Sequence, residues 1–419
     1  MLLGVIADDF TGATDIAGFL VENGMRTIQL NGIPDDRLDV DVDAVVISLK
    51  SRSCPVDEAV NQSLSALNWL MAKNCQQFYF KYCSTFDSTA EGNIGPVTDA
   101  LMSALGCDIT IVCPALPING RTVFNGHLFV LGELLNESGM RHHPVNPMKD
   151  SSLIRLMNQQ SKGQTGLINY QQIEQGAEVI QKALDKLVSE GKRYAVVDAF
   201  NSSHLQTLGA AVKNLKLVTG GSGLAEGIAK NWANHLEDQS QAKLHGTPSR
   251  QKTVVLSGSC SEMTNRQVNQ YKTIAAYFPV SVGLCIDQEN YSHEVSLWVK
   301  EHLDDTYAPM VYATASKGDL DVIQQTHGAE AASQAVETFF SQLAHHLQEI
   351  GVKNFIVAGG ETSGVVTQSL GVRGFHIGPQ IAPGVPWVRS IAQPLSLALK
   401  SGNFGDIDFF KKAQEFYHE

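Results

Sequence analysis

The chain has 419 residues, of which 43% are hydrophobic and 18% charged, and its formal net charge is -12. This is the composition of a folded globular protein long enough for two domains. The acidic balance argues against nucleic acid as the main partner, because phosphate backbones need a basic face; a small anion needs only a local cluster of Lys and Arg. No apolar run reaches the roughly 18 residues of a membrane span, and the N-terminus enters a strand without a basic leader. The seven cysteines, Cys54, Cys75, Cys83, Cys107, Cys113, Cys260 and Cys285, are scattered and form no CxxC pair. Reduced thiols and a cytoplasmic location are expected, with no zinc site.

Residues 2–7 are apolar and read as a strand buried on both faces. The stretch VIADDFTGATD (5–15) then places Asp8 and Asp9 at a strand-to-helix junction. In open α/β sheets that edge is where ligands bind. The plainer alternative is that one aspartate, or Thr11, only caps the helix. Strand-like runs follow at RTIQL, DAVVISL, QQFYFKY, DITIVCPAL, KRYAVVDAF and LKLVTGG, separated by helical patterns. This rhythm predicts a mainly parallel, doubly wound sheet. RTVFNGHLFV interrupts it, and Asn125-Gly126 between two apolar runs predicts a hairpin. The polar stretch 234–252 reads as a linker, giving domains at 1–240 and 252–419. The second, a smaller α/β domain, restarts with TVVLSGSCS, continues through PMVYATA and a helix over 329–349, and ends in NFIVAGGETSG and LKSGNFG.

Several strand ends carry polar residues. KYCSTFDST offers Lys81, Ser84 and Asp87; SLKSRS offers Lys50 and Arg52; PINGRT offers Arg121. Parallel strands bring these ends to one edge beside Asp8 and Asp9. Arg can hold a carboxylate with two parallel bonds, and carboxylates and hydroxyls suit a polyol. The set fits a small, hydroxylated, acidic molecule, although each cation alone is an ordinary surface charge. In the second half, AGGETSG presents Gly359, Gly360, Glu361, Thr362 and Ser363, with a helix expected to begin near Thr362. Backbone close approach and free N–H groups there favour an anion, and Glu361 can hold a metal-bound water. SGSCS adds Ser257, Gly258 and Ser259, and SGNFG adds Gly402 and Gly405. Each is a weak signal; together they point to a nucleotide-binding domain. There is no P-loop and no nucleophile elbow, and TGGSGLAEG lacks the last small residue of a dinucleotide fingerprint.

The stretches IADDFTGATD, KYCSTFDSTAEGNIGP, CPALPINGRTVFNGHLFV, HPVNPMKDS, VVDAFN, TGGSGLA, SGSCS, AGGETSG and LKSGNFG occur in this order from residue 6 to residue 405. In them the chain resembles the four-carbon acid sugar kinases. The resemblance implies a sugar-acid-binding N-terminal domain and an ATP-binding C-terminal domain. It implies transfer of the γ-phosphoryl group of ATP to the terminal hydroxyl of a 3-oxo-tetronate, with D-threonate and D-erythronate as alternatives. Mg²⁺ is expected to bridge the phosphates with few protein ligands. Asp9 and Asp87 are the candidate bases. The substrate contacts are Asp8, Asp9, Arg52, Lys81, Ser84 and Arg121. The partners expected are ATP and a small acid, not nucleic acid or membrane, and a homodimer stays open. Two other readings are a nicotinamide-dependent oxidoreductase using the Gly220 region and a non-catalytic sugar-acid sensor.

Overall fold

The computed structural model describes residues 1–34, 38, 41–143, 146–233, 236 and 241–417. The chain divides into two compact units, Met1–Ala242 and Lys243–Glu419. Within the stretch expected as a linker, residues 234, 235 and 237–240 lie outside the described residues. No helix of the described residues is long and apolar enough to cross a membrane.

The first unit contains β1 (Leu3–Ala7), β2 (Thr27–Asn31), β3 (Ala44–Ser48), β4 (Gln77–Lys81), β5 (Thr110–Cys113), β6 (Arg121–Phe124), β7 (His127–Val130), β8 (Glu133–Leu134), β9 (Gln164–Ile168), β10 (Lys192–Val197) and β11 (Leu217–Gly220). Its main sheet runs in the order β2-β3-β1-β4-β11-β5-β10-β9. Every pair in it is parallel. Each residue of β1, β3 and β4 is buried, as a sheet covered on both faces requires. The chain leaves β1 toward β2 and leaves β4 toward β5, in opposite directions. The junction between β1 and β4 is therefore the switch point of this sheet.

The predicted hairpin is present as β6 and β7, joined through Asn125 (φ 48°) and Gly126 (φ 73°). Both central residues are left-handed, as a type I′ turn demands. The Asp198 carboxylate accepts hydrogen bonds from the N–H groups of Asn125, Gly126 and Tyr170, each at 2.9 Å. That is the task of the aspartate in VVDAFN. The glycines of TGGSGLAEG are also structural. A Cβ on Gly227 would lie 2.2 Å from the Leu205 carbonyl oxygen, where helix Ala225–Asn231 meets helix Ser202–Ala211.

The second unit contains β12 (Thr253–Ser257), β13 (Tyr277–Pro279), β14 (Met310–Tyr312), β15 (Asn354–Ala358), β16 (Gly374–Ala382), β17 (Val385–Ser390) and β18 (Ser396–Lys400). Its order is β13-β14-β12-β15-β18-β17-β16. The strands from β13 to β18 pair in parallel, and β17 and β16 add an antiparallel edge. Helix Ala329–Glu349 matches its predicted span. Fully buried Trp387 anchors the core under β17, donating from Nε1 to the Ala413 carbonyl at 2.8 Å. The switch point here lies between β12 and β15. The register sets Ser257 beside Ala358 and Ala358 beside Lys400, so three strand ends form one row.

Gly227→Val is expected to cost about 1–3 kcal/mol of stability through overpacking. Thermal unfolding checks this; an unchanged melting temperature would show that the two helices are not held at backbone contact.

Candidate functional site

At the first switch point the charges are paired rather than open. Asp8 is 5% exposed. Its carboxylate takes both arms of the Arg52 fork, from Nε at 2.9 Å and from Nη2 at 2.8 Å. The same Nη2 lies 2.7 Å from Asp9 Oδ1. Asp9 also caps helix Phe10–Glu22, accepting from the Gly12 N–H at 2.9 Å. Asp9 is thus the helix cap and, through Arg52, also part of the charged group at this strand end. Nε and Nη2 of Arg52 are committed to the two aspartates. Its loop is pinned by Asn93, whose Nδ2 donates to the carbonyls of Ser51 (2.8 Å), Arg52 (3.3 Å) and Cys54 (2.9 Å).

Burial pushes the Asp8 carboxyl above its ordinary 3.8, with Arg52 pulling against that push. Arg52 itself is held in its charged form: the two carboxylates outweigh its burial. Lys81, at the end of β4, is buried and donates to the Tyr82 carbonyl at 2.7 Å. Its charge acts on Asp8 and also on Asp15. Asp15 was not singled out from the sequence. It accepts a hydrogen bond from Ser222, and burial raises its pKa against the pull of Lys81, that hydrogen bond and Arg121. Arg121 donates to the Asn119 carbonyl, and its Nε is buried without a hydrogen-bond partner. Asp8, Asp9, Asp15, Arg52, Lys81 and Arg121 therefore form one electrostatic cluster of balanced charge. Ser84 is half-buried on the loop after β4 and is not tied into it.

Asp87 is 8% exposed, and it lines a small cavity with Asp8, Ser51, Arg52 and Asn93. Its Oδ1 is buried and has no hydrogen-bond partner, and Nδ1 of the His143 ring lies 3.7 Å from it. Gln160 fixes the following turn, donating to the carbonyls of Ser88 (3.2 Å) and Thr89 (2.5 Å). The enclosed space is only about 10 Å³, roughly one water. It is too small to enclose a four-carbon acid.

The second unit holds a cavity of about 420 Å³, within the usual range of small-molecule sites. Gly258, Ser259, Gly359, Gly360, Glu361 and Thr362 line one side; Val282, Leu320, Ile323 and Val336 make the other side apolar. Helix Gly360–Ser369 starts two residues earlier than predicted, with Gly359 (φ 126°) at the N-cap and no side-chain cap. Its first intrahelical bond is from the Ser363 N–H to the Gly359 carbonyl. The N–H groups of residues 360–362 thus lack helical acceptors, the arrangement that attracts an anion. A Cβ on Gly258 would sit 2.2 Å from Thr362 Oγ1, which explains the glycine at the SGSCS turn.

Four of the expected residues fall outside the cavity lining. Ser257 is fully buried and its hydroxyl pairs with Thr314 Oγ1 at 2.7 Å, so it does not line the cavity. Gly405 (φ 78°) turns the chain against Phe409. Gly402 sits behind Ser259: a Cβ there would lie 2.6 Å from Ser259 Oγ. Ser363 Oγ is buried and unpartnered one residue past the cavity wall. Among the described residues no group of three or more His, Cys, Asp or Glu is placed to hold a metal ion.

The comparisons with known proteins divide the chain along the same lines. Residues 3–228 match the sugar-binding N-terminal domain, and residues 254–410 match the nucleotide-binding C-terminal domain. The chain belongs to the four-carbon acid sugar kinase family. A relative from Pectobacterium atrosepticum named 3-oxo-tetronate kinase is 59% identical, over 99% of this chain and 98% of its own. Another of the same name from Salmonella typhimurium LT2 is 58% identical, over 98% of each chain. A crystal structure from Salmonella typhimurium LT2, described as that of a tRNA synthase, superposes with a TM-score of 0.94 at 57% identity over 99% of both chains. One from Haemophilus influenzae gives 0.92 at 54% identity, over 99% of this chain and 100% of the other.

Two expectations follow. Arg52→Ala strands two carboxylates, one of them buried, and is expected to cost about 3 kcal/mol. Asp8 can escape by protonation, and its pKa is already raised. The loss should therefore be largest at neutral pH and shrink as pH falls through the folded-state pKa toward 3.8; unfolding curves across pH check the sign. A Cβ on Gly360 meets nothing within 4 Å. Gly360→Val should therefore fold normally and raise the apparent KM for ATP at least tenfold, with Thr362→Ala milder. Calorimetry with each ligand separately checks it, and unchanged ATP affinity in folded Gly360→Val would remove the cradle.

Proposed function

We propose that this chain is an ATP-dependent kinase that phosphorylates the terminal 4-hydroxyl of 3-oxo-tetronate, giving 3-oxo-tetronate 4-phosphate. The observation that carries the reading is the pairing of two unlike sites, each at the switch point of its own sheet. One is a charge-balanced polar cluster; the other is a half-apolar cavity at an uncapped helix start. The name printed for the full-length relatives supports the choice of acid. D-threonate and D-erythronate are the alternative acceptors.

In this reading residues 1–240 bind the acid and residues 252–419 the nucleotide. Arg52, Lys81 and Arg121 are the cations that would hold the carboxylate. Asp87 is the better candidate base: its Oδ1 is unpartnered, whereas Asp9 Oδ1 already serves Gly12 and Arg52. Asp87 would hold the proton of the acceptor hydroxyl, and Asp9 would keep the strand end rigid. The N–H groups of residues 360–362 and the hydroxyls of Ser259 and Thr362 orient the phosphates. Bound Mg²⁺ would neutralise phosphate charge, and Glu361, which lines the cavity as Glu337 also does, is the carboxylate at the helix start that would hold one of its waters. The site is expected to work in the cytoplasm, where the seven free thiols stay reduced.

The rival readings find less support. The Gly220 region has no room for a dinucleotide: a Cβ on Gly220, Gly221 or Gly223 would meet the carbonyls of Cys113, Pro114 or Ala115. A sensor would not need the second cavity. A tRNA partner sits poorly with a net charge of -12.

ADP release should be measured across four-carbon acids and their 3-oxo forms. The highest kcat/KM is expected for a 3-oxo-tetronate. Faster turnover of D-threonate or D-erythronate would replace the acceptor, and tight acid binding without turnover of any acid would favour the sensor. Asp87→Asn is expected to lower kcat about 10²–10⁴-fold while acid binding persists. Equal loss in Asp9→Asn and none in Asp87→Asn would reverse the base assignment.

A further inference from the structure

Lys400 is a buried lysine without a carboxylate. Its side chain is 1% exposed, among the largest fully buried groups in the chain. Nζ donates to Thr264 Oγ1 at 3.0 Å, to the Ser401 carbonyl at 3.1 Å and to the Gly402 carbonyl at 2.9 Å. Thr264 Oγ1 donates to the same Gly402 carbonyl at 2.7 Å. Gly402 in turn backs Ser259, which lines the cavity. The Lys400 carbonyl takes the Gly359 N–H at 2.9 Å, next to the helix start. One residue thus joins all three loops around the presumed phosphate end: by its ammonium it grips SGNFG and the helix behind SGSCS, and by its backbone it grips AGGETSG.

Burying a cation without a carboxylate partner is costly, so a lysine at this position calls for a role beyond packing. The groups that face Nζ are neutral: the Thr264 hydroxyl on helix Glu262–Tyr271, the two carbonyls of its own loop, and the Phe409 ring at 6.0 Å from helix Phe409–Ala413. The charged groups of those elements point elsewhere. Glu262, Arg266, Glu361, Lys411 and Lys412 are exposed, exposed Asp406 pairs with Lys412, and half-buried Asp408 is approached by Gln270 at 3.5 Å. Among the described residues no ion pair compensates Lys400.

We propose that Lys400 is a positioning residue of the nucleotide site: its ammonium locks the Gly402 turn behind Ser259 and supplies buried positive charge that a polyphosphate completes. The inference rests on the nucleotide reading of the second unit. Burial depresses the lysine to about 8. The cation is therefore present below that pH and lost above it, whereas a bound polyphosphate holds it protonated. Nucleotide binding is coupled to proton uptake on the alkaline side.

The test is calorimetric titration of ADP into the full chain at pH 7 to 10, in buffers of different ionisation enthalpy, for wild type, Lys400→Met and Thr264→Val. Wild type should bind with proton uptake above pH 8 and lose at least tenfold in affinity between pH 8 and 10. Folded Lys400→Met should bind about tenfold more weakly at pH 7.5 and lose the lysine's uptake, read as the difference from wild type in the same buffers. Thr264→Val should weaken binding yet keep the uptake, since the ammonium remains. Lys400→Met with wild-type affinity and wild-type proton uptake overturns the proposal. If that variant does not fold, a wild type with flat affinity and no uptake overturns it equally. A wild type that binds four-carbon acid but neither ADP nor ATP at any pH instead removes the nucleotide reading itself.

Discussion

Strand direction is the constraint from which the site follows. When β1, β3 and β4 run parallel, their chain exits must all lie on one edge, and a polar residue at any exit has nowhere else to go. Residues 8, 52 and 81 are far apart in sequence and adjacent in space for that reason alone. The backbone repeats the point: the Asp8 N–H donates to the Lys81 carbonyl at 3.0 Å, and the Ser51 N–H to the Asp8 carbonyl at 3.0 Å. The second unit obeys the same rule with Ser257, Ala358 and Lys400 in one row. There the exits are glycine-rich, and they make a backbone-walled cavity in place of a charged cluster.

The two sites handle charge differently. In the first unit three acids and three cations neutralise one another while largely withdrawn from water. Such a cluster is weak evidence of stability, since desolvation opposes the Coulomb gain, but it holds fixed dipoles where an anionic sugar would need them. In the second unit charge is scarce at the strand ends, and peptide N–H groups carry the potential. Buried Lys400 breaks that pattern.

Much of this was legible in the sequence. Apolar runs between helical patterns located most strands, and Asn125-Gly126 marked the hairpin to the residue. β16 and β17 were missed because Gly378, Pro379, Pro383, Gly384 and Pro386 break up their apolar runs and imitate loop composition. Asp8, Arg52, Lys81 and Asp87 were readable as strand-end polar residues. Their mutual pairing was not, because a side chain's partner depends on three-dimensional reach. Asp15 and Ser222 lie 207 residues apart and no spacing rule connects them. Ser257 looked available because it ends a strand, but its side chain turns inward to Thr314.

The glycine before helix Gly360–Ser369 has a further consequence for engineering. Helices are commonly stabilised by placing Ser, Thr, Asp or Asn at the N-cap. At Gly359 that route is closed, since a φ of 126° excludes those residues and a Cβ would lie 3.0 Å from Thr362 Oγ1. Heat-resistant descendants of this chain would have to gain their stability at other helix starts, such as Pro55 ahead of helix Val56–Ala72, where no side chain caps either. The cavity-lining turn stays as it is, a fixed point around which the rest of the sequence is free to drift.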